Sequence, residues 1–519
     1  MIERLKKDSR LTLILVSSFI WGIVAHGMAL FNKYSYHDDS NWVNGFNYSD
    51  TYGLGRWGRA VTGKIALFLF GGKHASTPAF LGLFTILCIA LMLYIVCLRL
   101  RIDNKLMIVA LSGVMVCTPA VTAGFGFMFT TPYFFLGSFV GVLGIYIYYS
   151  DKNVKTFLVC SVFLAFSTAL YQANIPIDLI VLLLFMLDEI YTSDMTWKEY
   201  IILGLKNALL CVVFMAEYFV SNEIALKIVG MEMSDYKGVG SYGFSGVVAY
   251  LMRVVTAYKR FIKPADFVGR QGVSANMFPW SLMYYHMLLV ALSLVLIVIF
   301  MRRLGSTRRM LQTAILVAIS PLFAYFTYFM VEETEIHGLM TYGEVFMFFL
   351  PAYVIARLNE DDVMEERVGK LKGIAAKISL VLIFAIGVVA ARYDNVCYLK
   401  AEVLQTEVIS YCNRLVARIQ STPGYTIDTP VLYVNARSKK DDGFGGERLF
   451  DPIYTPTYQW NSMVNDYAWV DTMELWCAFR PEEADPAAVS ADAIAAMSVY
   501  PDEGSIKVID GVLVVKFAD

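Results

Sequence analysis

The chain of 519 residues is 57% hydrophobic and only 17% charged, with a mean hydropathy of +0.55. Soluble domains carry about 25% charged residues, so the composition excludes a soluble enzyme and specifies an integral membrane protein. The formal charge of −2, with basic residues dispersed along the chain, gives no footing for a nucleic-acid partner.

The first ten residues are basic (Arg4, Lys6, Lys7, Arg10), and the apolar run at 11–31 that follows is long enough to cross about 30 Å of hydrocarbon. It is too long for a cleavable signal. The positive-inside rule predicts a cytoplasmic N-terminus, so the next segment emerges outside. Residues 61–71 are too short to span and are predicted to lie at the interface. Further apolar spans are predicted at about 76–98, 106–127, 131–149, 155–172, 175–190, 200–220, 281–301, 311–331, 338–356 and 373–391. With the first, that makes eleven. The inner loops then hold Arg99, Arg101 and Lys105, Lys152 and Lys155, Arg302 to Arg309, and Arg367 to Lys372, whereas the short outer loops near 128–130, 173–174 and 332–337 hold no Lys or Arg. Around Tyr171-Gln172-Ala173-Asn174 almost no loop remains, so two short helices meeting partway through the bilayer fit equally well.

Two larger outer segments complete the chain. Residues 221–280 carry Arg253, Arg260 and other cations among Tyr, Phe and Gly. Residues 392–519 form a separate extracytoplasmic α/β domain: a helix at about 394–420, a strand at 431–435, a helix near 487–497, and a terminal hairpin turning at Asp510-Gly511. The polytopic part is therefore 1–391, with loops 32–75 and 221–280 forming its outer, active face. Five of the eight cysteines sit in apolar runs, and no CxxC or Cys/His spacing suggests zinc. Cys412 with Cys477 is an open pairing.

The chemistry gathers in the first outer loop. Asp38 and Asp39 could be solvated carboxylates, a base whose pKa is raised by its neighbour, or oxygen ligands for a divalent metal ion. No other cofactor is called for. His37 flanks them. Gly55-Arg56-Trp57-Gly58-Arg59 could be an interfacial anchor, but a guanidinium beside glycine is a good phosphate clamp. Arg253 and Arg260 are further candidates for donor phosphate. Glu332, Glu333, Glu335 and His337 form an acidic outer loop that could add a second acid to the same cleft. Glu344 lies inside a span, where a carboxylate needs a partner or water. The Gly238–Gly243 GxGxxG pattern follows no strand and reads as a loop.

Tyr36-His37-Asp38-Asp39 after a first span, then Gly55-Arg56-Trp57, with Leu170-Tyr171-Gln172-Ala173 ending a later span, resembles the bacterial O-antigen glucosyltransferases of serotype-conversion systems. The C-terminal ending from Tyr500-Pro501 to the hairpin is similar too. The resemblance covers most of the membrane region. It implies a GT-C-like fold of many helices with an outward-facing site and a polyprenyl-phosphate sugar as donor, in keeping with the mainly α, polytopic chain of about eleven transmembrane helices read from the apolar spans. It places Asp38 and Asp39 as catalytic, and Arg56 and Trp57 in the Gly-Arg-Trp motif; Tyr171 and Gln172 join His37, Trp57, Glu333, Glu335 and His337 as candidate substrate contacts. The acceptor expected is a surface polysaccharide or lipid-linked glycan. A flippase for lipid-linked glycans is the second reading, and a membrane-anchored binding protein working through 392–519 the third. A flippase needs polar lining deep in the spans, whereas the unusual residues here gather at one outer surface.

Overall fold

The structure is a computed structural model that describes every residue except 1–7, 35–37, 40–49, 72–75, 235–245, 264–266, 269–273, 276–279, 332–335, 360–365, 436–467 and 519. His37, Glu332, Glu333, Glu335 and the GxGxxG pattern therefore lie outside the described residues.

Each predicted apolar segment coincides with helix. In chain order these are α1 (Ser9–Phe31), the short α2 (Trp57–Phe70), α3 (Pro78–Leu100), α4 (Lys105–Val116) with α5 (Pro119–Phe125), α6 (Thr131–Asp151), α7 (Val154–Leu170), α8 (Ile175–Thr192) and α9 (Trp197–Val229). The series continues with α10 (Val247–Ile262), α11 (Trp280–Arg303), α12 (Thr307–Ala324), α13 (Phe349–Leu358) and the 55-residue α14 (Glu366–Gln420). Among the described residues six helices are long and apolar enough to cross a membrane, or seven if α4 and α5, bent by 44° at Thr118, count as one.

The others depart from the simple span pattern for local reasons. Pro119 stands at the first position of α5, where its missing N–H costs nothing but the preceding helix must stop. Pro321 lies inside α12, which ends three residues later. Residues 342–348 wind as a 3-10 helix before α13 begins. Helix α8 carries Asp178, Asp188 and Glu189, which lower its apolarity although all three are buried.

Helices α1, α3, α4, α6, α7 and α8 make the packed heart of the bundle, with α14 closing against α1 and α4. With lipid outside, their association rests on close packing and internal hydrogen bonds. A Cβ on Gly82 of α3 would stand 2.2 Å from Leu30 Cδ2, so glycine lets α1 and α3 touch. Trp21 Nε1 donates to the Val109 carbonyl at 3.0 Å, and the Ser17 and Ser112 hydroxyls bond at 2.7 Å. The opposite side of α1, with Val16, Ile20, Ile23 and Val24, stays exposed and suits lipid.

Helix α14 runs through its apolar first half into the C-terminal region without a break, so the separate helix expected at 394–420 is its second half. The division set at residue 392 falls inside it. That half packs Leu404, Val408, Leu415 and Ile419 against a three-stranded sheet of β1 (Val431–Val434), β2 (Ile506–Ile509) and β3 (Val512–Lys516). The order is β1-β3-β2, with β1 parallel and β2 antiparallel to β3. The hairpin turns as expected: Asp510 and Gly511 both have positive φ, 51° and 84°, the signature of a type I′ turn. The helix expected near 487–497 is a 3-10 turn at Pro486–Ala488 followed by a short helix at Ala491–Ala495.

Candidate active site

The Gly-Arg-Trp motif is the entrance to α2, which starts at Trp57. Gly55 has φ 71°, and a Cβ there would lie 2.5 Å from Tyr218 Oη and 2.9 Å from Gln172 Nε2. Those two groups fasten the loop: Gln172 Nε2 donates to the Leu54 carbonyl at 2.7 Å, and the Tyr218 hydroxyl donates to the Gly55 carbonyl at 3.0 Å. At Gly58 a Cβ would stand 3.0 Å from the Ala169 carbonyl carbon, so α2 rests directly on the backbone of α7. Gly55→Ala combines a left-handed backbone with a steric clash. It is expected to cost about 2–4 kcal/mol of stability, read as a fall in melting temperature of the purified protein; an unchanged melting temperature would contradict the docking described.

This docking brings together two motifs more than a hundred residues apart. Arg56 Nε donates to Gln172 Oε1 at 3.2 Å. The Arg56 guanidinium stands over the ring of Tyr171 at 5.0 Å and of Phe134 at 5.9 Å, and the two rings stack at 3.9 Å. Leu339 and Met340, just beyond His337, pack on the same aromatic platform. One turn further on, Arg59 is buried with its guanidinium 5.3 Å from the Phe129 ring. Trp57 leans on Phe166 and lines a largely apolar cavity of about 680 Å³ walled by α6, α7 and α9, with Glu217 at its edge. Ser161 Oγ donates to Glu217 Oε1 at 2.9 Å.

Asp38 and Asp39 lie in a helical turn beyond α1. Their environments differ sharply. Asp39 is 1% exposed and forms an ion pair with Lys33, while Asp38 is half-buried. Burial pulls the Lys33 ammonium down to about 8. The long helix anchors this turn: Gln405 Nε2 donates to the Lys33 carbonyl at 2.8 Å, and the Tyr34 ring lies parallel to that of Tyr398. Among the described residues no group of three or more His, Cys, Asp or Glu side chains could hold a metal ion.

The family model described as Glucosyl transferase GtrII matches residues 27–348, from within α1 to the 3-10 segment before α13. The chain belongs to the GtrII glucosyltransferase family. The matched stretch includes the acidic pair, the Gly-Arg-Trp motif and the Tyr171-Gln172 platform, and ends before the C-terminal region. The fold is similar at 10% identity and a TM-score of 0.35 to the apo crystal structure of the Archaeoglobus fulgidus oligosaccharyltransferase, over 89% of this chain and 65% of that one. At that score the likeness is too distant to build on. Comparison with curated proteins gives no match.

The remaining candidates of this GtrII-family chain lie on other elements. Arg253 and Arg260 belong to α10, an amphipathic helix beside α12. Arg253 Nη1 donates to the Phe329 carbonyl at 3.1 Å, and the Arg260 carbonyl accepts from Tyr325 Oη at 3.4 Å. His337 is half-buried and leads into the 3-10 turn at Gly338–Met340. Sequence reasoning missed Lys33, Phe129, Phe134 and Tyr218. The aromatics sit in or beside apolar runs where any large side chain reads as core, and Lys33 looks like an ordinary membrane-boundary lysine.

Proposed function

We propose that this GtrII-family protein transfers a hexose, glucose on the family's description, from a polyprenyl-phosphate donor to a cell-surface polysaccharide. The transfer takes place at the outer face of a bacterial cytoplasmic membrane. The observation that carries the reading is the pairing of Arg56, held on the Phe134–Tyr171 platform, with the apolar cavity that begins at the adjacent Trp57. An arginine at headgroup depth suits a phosphate, and a neighbouring apolar cavity suits the isoprenoid chain. Asp38 accepts the proton of the acceptor hydroxyl, which attacks the anomeric carbon as the bond to the lipid phosphate breaks. Arg56 and Arg59 neutralise the charge growing on the departing phosphate, with Arg253 and Arg260 as further phosphate ligands. A single displacement inverts the anomeric centre.

His37, Trp57, Tyr171, Gln172, Glu333, Glu335 and His337 are the proposed substrate contacts. A divalent metal at Asp38 is the less favoured route, since Asp39 is engaged by Lys33. The flippase reading finds little support in the bundle. One buried polar chain bonds internally: Ser138 Oγ to Asn174 Oδ1 at 2.8 Å, Asn174 Nδ2 to the Ser167 carbonyl at 3.1 Å, and Ser167 Oγ to Asp178 Oδ2 at 3.3 Å. A Cβ on Gly141 would stand 2.2 Å from Asp178 Oδ1, so these groups face packed helix and not a lumen.

The reading requires residues 392–519 to lie on the same side as Asp38. Ser505 is buried and unsuitable as a reporter, but Glu503 and Asp151 are exposed at opposite ends of the predicted topology. In intact cells Glu503→Cys is expected to react with an impermeant maleimide and Asp151→Cys to stay unlabelled, each against the parent. Native cysteines give a second readout. The Cys412 and Cys477 thiols are neighbours in the core between α14 and the short helix Trp469–Cys477, so an oxidising compartment is expected to join them. Protection of Glu503→Cys, or labelling of Asp151→Cys, would reverse the orientation.

A further inference from the structure

A second concentration of cations lies at the end of the bundle where α1 begins. Arg10 pairs there with Asp103 at 2.6 Å, two residues beyond Arg101. The other end of α1, about 34 Å away by helical rise, leads to Asp38. At the Arg101 end the ends of α3, α8, α11 and α13 meet the start of α12. Between them is a cavity of about 450 Å³ lined by Arg101, Arg303, Arg309 and Arg357 with Tyr191 and Thr192.

The bland explanation is capping, since helix C-termini attract cations. It accounts for part of the arrangement. Arg303 Nη1 donates to the Leu358 carbonyl at 3.2 Å, and Arg309 donates through Nε to the Ile190 carbonyl at 3.1 Å and through Nη2 to that of Tyr191. Arg357 is fully buried, paired with Asp188 and set 5.1 Å from the Tyr191 ring. Asp188 also takes Arg99, which reaches Glu189 at 2.5 Å, and Glu189 in turn takes Lys152 at 2.5 Å. Nearby, Asp194 is paired with Arg308. The two carbonyls that Arg309 takes satisfy its hydrogen bonds but leave its charge in place. Capping also gives no reason for four guanidiniums to face one cavity, where their mutual repulsion is strongest.

We propose that this cavity binds a phosphate group, supplied either by the headgroup of an anionic lipid entering between the helices or by free phosphate in solution. Basic pockets between helices at the cytoplasmic side of a membrane favour such headgroups, and the planar guanidinium fork fits phosphate oxygens. Arg101, exposed at the end of α3, and Arg309 are the proposed ligands; Arg357 supplies fixed charge from behind. The site is independent of the transfer reaction proposed for the Asp38 face. Its competitor is the chain itself, because Glu360, Asp361 and Asp362 follow Leu358 closely in sequence.

The test measures the melting temperature of the full-length protein in neutral phosphatidylcholine nanodiscs, with phosphatidylglycerol or inorganic phosphate added at matched ionic strength. A rise of a few degrees is expected for a ligand that binds only the folded state. A rise with the lipid alone assigns the site to a headgroup, and a rise with inorganic phosphate assigns it to the soluble ion. Arg101→Gln, at an exposed position where folding should be unaffected, is expected to reduce the rise, and Arg101→Gln with Arg309→Gln to abolish it. No rise with either addition, or an equal rise in parent and both variants, overturns the proposal. So does a rise seen only after Glu360→Gln, Asp361→Asn and Asp362→Asn together, which would make the acidic segment the occupant.

Discussion

Asp38→Asn protein is expected to transfer glucose roughly 10²–10⁴-fold more slowly than the parent, a loss of about 3–5 kcal/mol in transition-state stabilisation. Asparagine keeps the shape of the side chain and loses its basicity, so expression and donor binding should persist. The neighbouring carboxylate supplies the contrast. Asp39 is buried against Lys33, and Asp39→Asn would strand a largely buried ammonium. Breaking a fully buried pair costs about 3–5 kcal/mol, and the 26% exposure of the Lys33 side chain brings that down. Asp39→Asn should therefore show itself as lost stability, with activity falling in proportion to folded protein. Turnover by Asp38→Asn within about threefold of the parent would remove Asp38 as the base. Loss of activity in both variants without loss of stability, mimicked by a chelator, would point to a metal bridging the two acids.

Arg56→Lys is expected to lower kcat/KM for the lipid donor by about 10²–10³-fold, the scale of losing one preorganised donor to a developing anion. The charge is conserved, so the loss comes from geometry. Arg56 commits Nε to Gln172 and stands over the Tyr171 ring, which leaves its terminal nitrogens for a phosphate. An ammonium cannot bond the amide, stack on the ring and grip two oxygens together. Arg59→Lys should act in the same direction. Full activity in both lysine variants would make these arginines membrane anchors. A fall in melting temperature that matches the fall in activity would make Arg56 a brace for the loop.

The spans were legible because a run of about 20 apolar residues has few other uses. Their interruptions were not. A hydropathy window averages over Thr118-Pro119 and over the 3-10 stretch from Tyr342 to Phe348, while the backbone responds to each residue singly. The boundary at residue 392 shows the converse. Composition changes there, yet no glycine or proline stands between Gly387 and Pro423, so nothing stops the helix and α14 carries the chain out of the bundle. Around the candidate site the two motifs could be recognised separately, but their union could not. Gly55, Gln172 and Tyr218 meet only after α2 has docked on α7, and no spacing in the chain encodes that meeting. Asp38 and Asp39 looked equivalent as a sequence pair; Lys33 and the fastening of its carbonyl by Gln405 set them apart.

The most direct measurement is transfer by the purified full-length protein in proteoliposomes carrying polyprenyl-phosphate glucose, with a surface polysaccharide as acceptor and neither ATP nor nucleotide sugar present. The account predicts a new glucosidic bond of inverted anomeric configuration and release of polyprenyl phosphate. Transfer only from a nucleotide sugar, or movement of the lipid across the bilayer with no new bond, would contradict it.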